Sequence, residues 1–238
     1  MKRLESLSTV LFDLDGTLID TTDLIFQSYQ HAYSLEFGEQ LELKDLYLGY
    51  GRPLDEAFAT ILEHRGITRA PGDQLALIER LTMLYREFNV ANHDDLAREF
   101  PGMRGVIAEL RQRGYHLGVV TSKSRGIAER SLRFIQLADQ FEVSVSMEDS
   151  VRHKPDPEPL YVALTRLGQR DRPATALYVG DSTHDLIAGR RGGLQTGAAL
   201  WGPFPLDSLA AERPTYFLSS PTELLEICPS PGRSNAGS

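Results

Sequence analysis

The sequence predicts an α/β protein: a parallel sheet wound with helices on both faces, interrupted by an all-helical segment. Three observations carry this. Short apolar runs recur along the chain, and helical patterns separate most of them. After the first run, the residues from about Leu18 to about Arg98 read as helices only. Several runs end in acidic or hydroxyl residues, as strands do where a parallel sheet presents a ligand site.

The predicted strands are Thr9–Phe12, His116–Thr121, Phe141–Val145, Ala176–Val179, Thr196–Leu200 and Tyr216–Leu218. Before the second, Val106, Ile107 and Leu110 make a helical face that stops at Gly114. Between the second and third, Ser124–Gln136 places Ile127, Ala128, Leu132 and Ile135 on one face. Between the third and fourth, Asp156 reads as an N-cap and Pro157 as the first helical residue; Leu160, Ala163, Leu164 and Leu167 follow, and Gly168 is the stop. In the insert, Leu24, Ile25, Tyr29, Ala32 and Tyr33 form one stripe that ends near Gly38. Leu54, Ala57, Phe58, Ile61 and Leu62 form a second, ending at Gly66, and Leu75, Ile78, Leu81, Leu84, Tyr85 and Phe88 a third. The expected division is therefore an α/β domain of residues 1–17 and 99–227, a helical domain of residues 18–98, and a disordered tail of residues 228–238 containing "PSPGRSNAGS". The joints fall near Thr17–Asp20 and Asp94–Gly102.

The 238 residues, 41% hydrophobic and 24% charged, suit a soluble globular chain able to bury a core. A net charge of −8 argues against nucleic acid or an anionic membrane as partner. The single cysteine, Cys228, excludes an intrachain disulfide, and the six histidines form no zinc-type cluster. Glu5, Asp13 and Asp15 break the opening apolar run, so a signal peptide is not expected, and a cytoplasmic location is.

The stretch "VLFDLDGTLID" carries the first functional signal. In an extended chain Asp13 and Asp15 lie on one side and Leu14 on the other. Two carboxylates that close repel unless a cation sits between them. Asp181, at the end of the fourth strand, supplies a third. Three hard oxygen ligands without histidine suit Mg²⁺, which also takes a substrate phosphate oxygen. Gly16 permits a sharp turn and a close approach of backbone N–H groups to an anion. Thr121 and Ser122, at the second strand's end, offer hydroxyls and helix-entry amides, and Lys154 adds a positive charge. Nucleophile, metal ligands, anion donors and cation together are the equipment of phosphoryl transfer.

In order along the chain, "DLDGTL", "VVTSK", "KPDPEP" and "VGDSTHD" resemble the motifs of the haloacid dehalogenase-like hydrolase superfamily, and the helical insert is similar to the family's small cap. Within it, "GRPLDEAF" and "FPGMRGVIAELRQRG" resemble the phosphoglycolate phosphatase and pyrophosphatase subgroup. The resemblance implies a Rossmann-like sheet with the first strand between the second and fourth. It implies Asp13 as nucleophile, forming an aspartyl-phosphate, and Asp15 as general acid and base. It also implies Mg²⁺ held by the Asp13 carboxylate, the Asp15 carbonyl and Asp181, with Asp185 behind them or acting through water. Thr121 and Lys154 would bind the transferring phosphoryl group.

Each assignment has a plainer counterpart. Thr121 can serve as a helix N-cap as well as an anion donor. Asp185 can be a first-turn carboxylate stabilised by the helix dipole. Arg52, in "YGRPLDE", is either a reader of the leaving group from the cap or a solvated arginine. The function expected is a Mg²⁺-dependent phosphatase, formally a phosphoric monoester hydrolase, acting on a small phosphorylated metabolite such as phosphoglycolate or pyrophosphate. Its cap would open and close over the substrate, as a monomer or weak homodimer. A phosphomutase of the same superfamily and a non-catalytic phosphate-binding module are the alternatives.

Overall fold

The computed structural model describes residues 7–230. The chain divides into two compact units, one built from the residues up to Ile19 and from Glu99 onward, the other from Asp20–Arg98. In chain order, β1 (Thr9–Phe12) opens the first unit, and the chain leaves it through β2 (Ile19–Asp20). The second unit holds α1 (Thr22–Phe37), α2 (Leu43–Gly49), α3 (Leu54–His64) and α4 (Pro71–Leu96). The chain returns through β3 (Arg98–Glu99) to α5 (Met103–Gln112), β4 (His116–Val120), α6 (Arg125–Phe134) and β5 (Val143–Val145). Then come α7 (Glu158–Arg166), β6 (Ala176–Gly180), α8 (Thr183–Arg191), β7 (Gln195–Ala199), α9 (Leu206–Ala211), β8 (Tyr216–Leu218) and α10 (Leu224–Ile227).

In the first unit six strands form a parallel sheet in the order β5-β4-β1-β6-β7-β8. The strand that begins the chain is central, because parallel strands must be joined by crossovers and the helices that make them cover the faces. Val10, Leu11 and Phe12 are wholly buried, as a strand covered on both faces requires. Leu11 packs with Val120 and Tyr178 against Leu160, Ala163 and Leu164 of α7 and Ala188 of α8. Alternation sends Val10 and Phe12 to the other face. All six predicted strands are present, with ends moved by at most two residues.

The helix starts moved more instructively. Pro157, expected as the first helical residue, is instead the N-cap of α7, which begins at Glu158; Asp156 precedes the cap and accepts the Glu158 amide at 2.9 Å. Thr121 does not cap α6: that helix begins at Arg125 with Ser124 as its N-cap. The reason is that Thr121 still belongs to the sheet, its N–H donating to Val145 O at 2.9 Å.

In the second unit α1 packs along α4 and α2 along α3. Tyr29 is its hub: its ring lies 5.2 Å from that of Phe58 and 4.8 Å from that of Tyr85, and its hydroxyl donates to Gly49 O at 3.0 Å. α2 has no counterpart among the sequence-predicted helices. Its seven residues are too few to show a repeating stripe, and the Glu42 amide donating to Asp45 Oδ2 at 2.9 Å ties down its first turn. In α4 the buried ladder is Leu77, Leu81, Tyr85, Asn89 and His93, at strict four-residue spacing. Leu75, expected on the inner stripe, is instead exposed, because the turn that buries Leu81 buries Leu77 one turn earlier.

Of the expected tail, residues 231–238 lie outside the described residues, and 228–229 are held. Cys228 is buried, its carbonyl and that of Leu225 accept from Arg113 Nη1 at 2.7 Å, and Pro229 O accepts the Tyr115 hydroxyl at 3.0 Å. Among the described residues, no helix is long and apolar enough to cross a membrane.

Candidate active site

The site lies within the first unit and follows from strand register. Phe12 is paired with Val119 on one side and Val179 on the other, so β1, β4 and β6 end within two residues of a common level. Asp13 continues β1, its N–H donating to Val179 O at 2.9 Å. Thr121 continues β4, and Asp181 continues β6. Asp185 sits in the first turn of α8, where its Oδ2 accepts the amide of Ser182, the N-cap, at 3.1 Å. Lys154 comes from the loop between β5 and α7.

Five buried groups meet here. Lys154 Nζ lies 2.9 Å from Asp13 Oδ1, 2.7 Å from Asp185 Oδ1 and 3.2 Å from the Tyr178 hydroxyl. The Tyr178 hydroxyl is within hydrogen-bond reach of Asp185 Oδ1, at 2.9 Å, and of Val120 O, at 3.1 Å. Asp185 thus has partners on both oxygens, through Lys154 and Tyr178 on one and Ser182 on the other. Asp181 Oδ1 accepts from Thr17 Oγ1 at 3.1 Å, while Asp181 Oδ2 is buried with no hydrogen-bond partner among the described residues. A Cβ on Gly180 would stand 2.3 Å from the Asp185 Cβ, so only glycine there lets Asp185 reach the cluster.

Charge within the cluster is unbalanced. One carboxyl oxygen each of Asp13, Asp181 and Asp185 lies within 4.8 Å of the others, against the single ammonium of Lys154. Burial, with Asp185 close by, pushes the Asp13 carboxyl up to about 7 despite Lys154. Burial and the same neighbours raise Asp181 well above the usual carboxylate range. Burial also opposes ionisation of Asp185, but Lys154, Ser182 and Tyr178 outweigh it and hold that carboxyl below its ordinary value. For Lys154, burial is outweighed by Asp13 and Asp185, so its ammonium is held more firmly than in water. A divalent cation would relieve this excess of negative charge. The donors are hard carboxylate oxygens, and Asp181 Oδ2 is an unused one, so the residues fit Mg²⁺.

The remaining expectations fare differently. The Asp15 side chain is outside the carboxylate cluster and is hydrogen-bonded by Lys123 Nζ. Thr121 is buried, and its hydroxyl accepts the Lys123 amide at 3.1 Å. Ser122 is partly exposed between them. Gly16 adopts a left-handed backbone, φ +72°, as a tight turn requires, but its N–H donates to Ile19 O at 2.8 Å. Gly16 is a turn residue whose own amide is engaged within the turn. Arg52 belongs to the second unit; its Nε is buried with no hydrogen-bond partner among the described residues.

Three residues were not singled out in the sequence. Lys123 stands one residue past Ser122 inside a quoted motif and could have been found there. Tyr178 and Thr17 read as ordinary strand and turn positions, and only the folded sheet brings their hydroxyls onto Asp185 and Asp181.

Comparison with known proteins agrees with this architecture. A family model for haloacid dehalogenase-like hydrolases matches residues 10–199. The chain is 36% identical over 228 residues to a pyrophosphatase PpaX of Bacillus cereus, covering 96% of this chain and 99% of that one. It is 35% identical over 228 residues to a pyrophosphatase PpaX of Bacillus thuringiensis, with the same coverage of 96% and 99%. Among solved structures, a hydrolase from Pseudomonas syringae superposes with a TM-score of 0.81 at 20% identity, over 92% of this chain and 96% of that one. A predicted phosphoglycolate phosphatase from Haemophilus somnus does so with a TM-score of 0.79 at 21% identity, over 95% and 100%. With the parallel sheet order, the match over most of the chain and relatives above 30% identity along nearly its whole length, the chain belongs to the haloacid dehalogenase-like hydrolase family.

Proposed function

We propose that this chain is a Mg²⁺-dependent phosphatase that cleaves a small phosphorylated substrate, inorganic pyrophosphate first among the candidates, through a phosphorylated Asp13. The observation that carries the reading is the buried Asp13–Lys154–Asp185 network beside the unpartnered Asp181 Oδ2, at the C-terminal ends of adjacent parallel strands. The choice of pyrophosphate rests on the relatives that share more than a third of their residues with this chain and are named pyrophosphatases.

In this reading an Asp13 carboxylate oxygen attacks phosphorus, and the bond from phosphorus to the leaving oxygen breaks. Asp15 gives its proton to that oxygen. Water then attacks the phosphorus of the aspartyl-phosphate, Asp15 takes up a proton from it, and the bond to Asp13 breaks to free phosphate and restore the carboxylate. Both protonation states are used once per turnover, so the net reaction consumes only water. Asp13, the Asp15 carbonyl and Asp181 would hold the cation, which supplies charge stabilisation to the phosphoryl oxygens. Asp185 and Tyr178 fix Lys154, which would steady Asp13 and meet the phosphoryl group; Thr121 would offer its hydroxyl. No separate nucleophile is needed, because Lys154 and the cation together allow Asp13 to stay ionised when burial disfavours it.

The test is phosphate release from pyrophosphate, phosphoglycolate and a hexose phosphate, each with Mg²⁺ and with EDTA. The expected result is hydrolysis that EDTA abolishes, with the highest kcat/KM on pyrophosphate. Phosphate release undiminished by EDTA would refute the metal's role. An isomeric sugar phosphate formed without free phosphate would refute hydrolysis.

A further inference from the structure

A long helix of the second unit carries an outer face that no other element covers. On α4, Leu75, Met83 and Val90 are 59%, 51% and 44% exposed. At about 100° per residue they fall, with Glu79 and Arg86, within one stripe opposite the buried ladder of Leu77, Leu81 and Tyr85. Glu79 and Arg86 make no ion pair or side-chain hydrogen bond with another described residue. They stand seven residues apart, about 10 Å along the axis, too far to pair with each other. Arg80, at the edge of the face, pairs with Glu36 at 2.8 Å.

The order of residues along this stripe is symmetric in character. Leu75 and Val90 lie equally far from the point between Thr82 and Met83. Glu79 and Arg86 also lie equally far from it, and they carry opposite charge. A two-fold axis through that point, perpendicular to the helix, would set an antiparallel second helix so that Leu75 meets Val90 of the other copy. The same operation sets Glu79 against Arg86 at both ends and Met83 near the axis. An isologous interface demands this self-complementarity.

We propose that α4 is the seat of a homodimer in which two copies pack antiparallel about the Thr82–Met83 midpoint. The apolar residues supply the attraction and the two Glu79–Arg86 pairs set the register. Three apolar side chains per copy and two exposed ion pairs make a small interface, so the dimer is weak and forms reversibly. The inference is independent of the reaction assigned above, since it uses no residue of that site.

Sedimentation velocity on the full chain from about 1 to 200 μM measures it. The wild type is expected to shift from monomer to dimer with concentration. Glu79→Arg alone and Arg86→Glu alone each turn two attractions into two repulsions and should weaken association about tenfold or more. Each variant forms the complement of the other, so mixing the two should restore dimer, as heterodimer, to within about threefold of wild type. Met83→Glu should leave a monomer with an unchanged melting temperature, because the side chain is exposed. A wild type that stays monomeric at every concentration, so that this face serves another partner or none, would overturn the proposal. So would a dimer that the single charge reversals do not weaken, or one that the mixture fails to restore.

Discussion

Each unit buries carboxylates among charged partners, and the two do it with opposite accounting. In the first, three clustered carboxyl groups share the one ammonium of Lys154, and Asp181 keeps an oxygen with no partner. In the second, the single wholly buried Asp45 is surrounded by donors. His64 Nδ1 is 2.8 Å from its Oδ1, the Glu42 amide 2.9 Å from its Oδ2, and Arg65 Nη1 3.6 Å from the same oxygen. Arg65 in turn reaches Glu39, Glu42 and the Tyr33 hydroxyl at the surface. Balanced charge of this kind joins the end of α3 to the start of α2 and needs nothing more. Unbalanced negative charge at strand ends calls for a cation, and strained buried charge of this kind clusters at sites of chemistry.

The comparison breaks or holds on measurable differences. The largest effect is expected from Asp13→Asn, which should reduce turnover on the order of a thousandfold or more in a steady-state assay. Its melting temperature should stay level or rise, because a repelled carboxylate has gone and Lys154 keeps Asp185. Lys154→Met should lose turnover as well, since Lys154 lies against Asp13, and unlike Asp13→Asn it should also lose stability. It leaves two buried carboxyls without their cation and should lower unfolding free energy by about 3–5 kcal/mol in a urea titration. Asp45→Asn retains the shape of the second unit's carboxylate but removes its charge from beside Arg65 and the His64 ring, and should destabilise by about 1–3 kcal/mol. The opposite signs of Asp13→Asn and Asp45→Asn in thermal melting are the sharpest form of the contrast; equal signs would erase it.

The smallest expected effect concerns a carboxylate of the first unit that is balanced. Asp149 accepts from the Ser146 amide at 2.9 Å and from Arg125 and Arg166 at 2.9 and 2.6 Å. Burial works against its ionised form, but the Arg166 hydrogen bond leads a set of donors that hold it down to about 2, from 3.8. The folded value lies below the unfolded one, so the stabilisation is present above pH 4 and is lost as pH falls through about 2. Because both arginines are largely exposed, the stabilisation is on the order of 1 kcal/mol. Asp149→Asn should therefore be less stable than wild type at pH 6, and the gap should close between pH 4 and pH 2 in acid titrations of folding.

Legibility in the sequence varied with the physical range of the signal. The central sheet strands were readable because a strand covered on both faces is a continuous apolar run, which needs no partner to recognise, and the partly exposed edge strands were short apolar runs of the same kind. The long insert helices were readable from their stripes, while α2 was not, since seven residues hold too little periodicity. Leu75 was misassigned to the inner face of α4 because a stripe drawn by eye through apolar residues can drift sideways by a third of a turn. Asp13, Asp181, Asp185 and Lys154 could be listed from motif order and do meet in space. Lys123 could have been listed and was not. The Tyr178 and Thr17 hydroxyls could not, because nothing adjacent in sequence marks a tyrosine in a strand as facing a carboxylate in the first turn of the next helix.

What the sequence determined by itself was local: where the strands and long helices run, which residue types stand at strand ends, and that those types suit a hard cation and an anion. Hydrophobic periodicity and side-chain chemistry are properties of neighbouring residues, and they survive reading one residue at a time. Tertiary structure alone decided which site oxygens are satisfied, that Lys154 is shared between Asp13 and Asp185, and that a stripe of α4 faces outward. Hydrogen-bond satisfaction at the site depends on groups more than a hundred residues apart in the chain, and only the packed sheet brings Lys154 to 2.9 Å from Asp13 and Thr17 to 3.1 Å from Asp181.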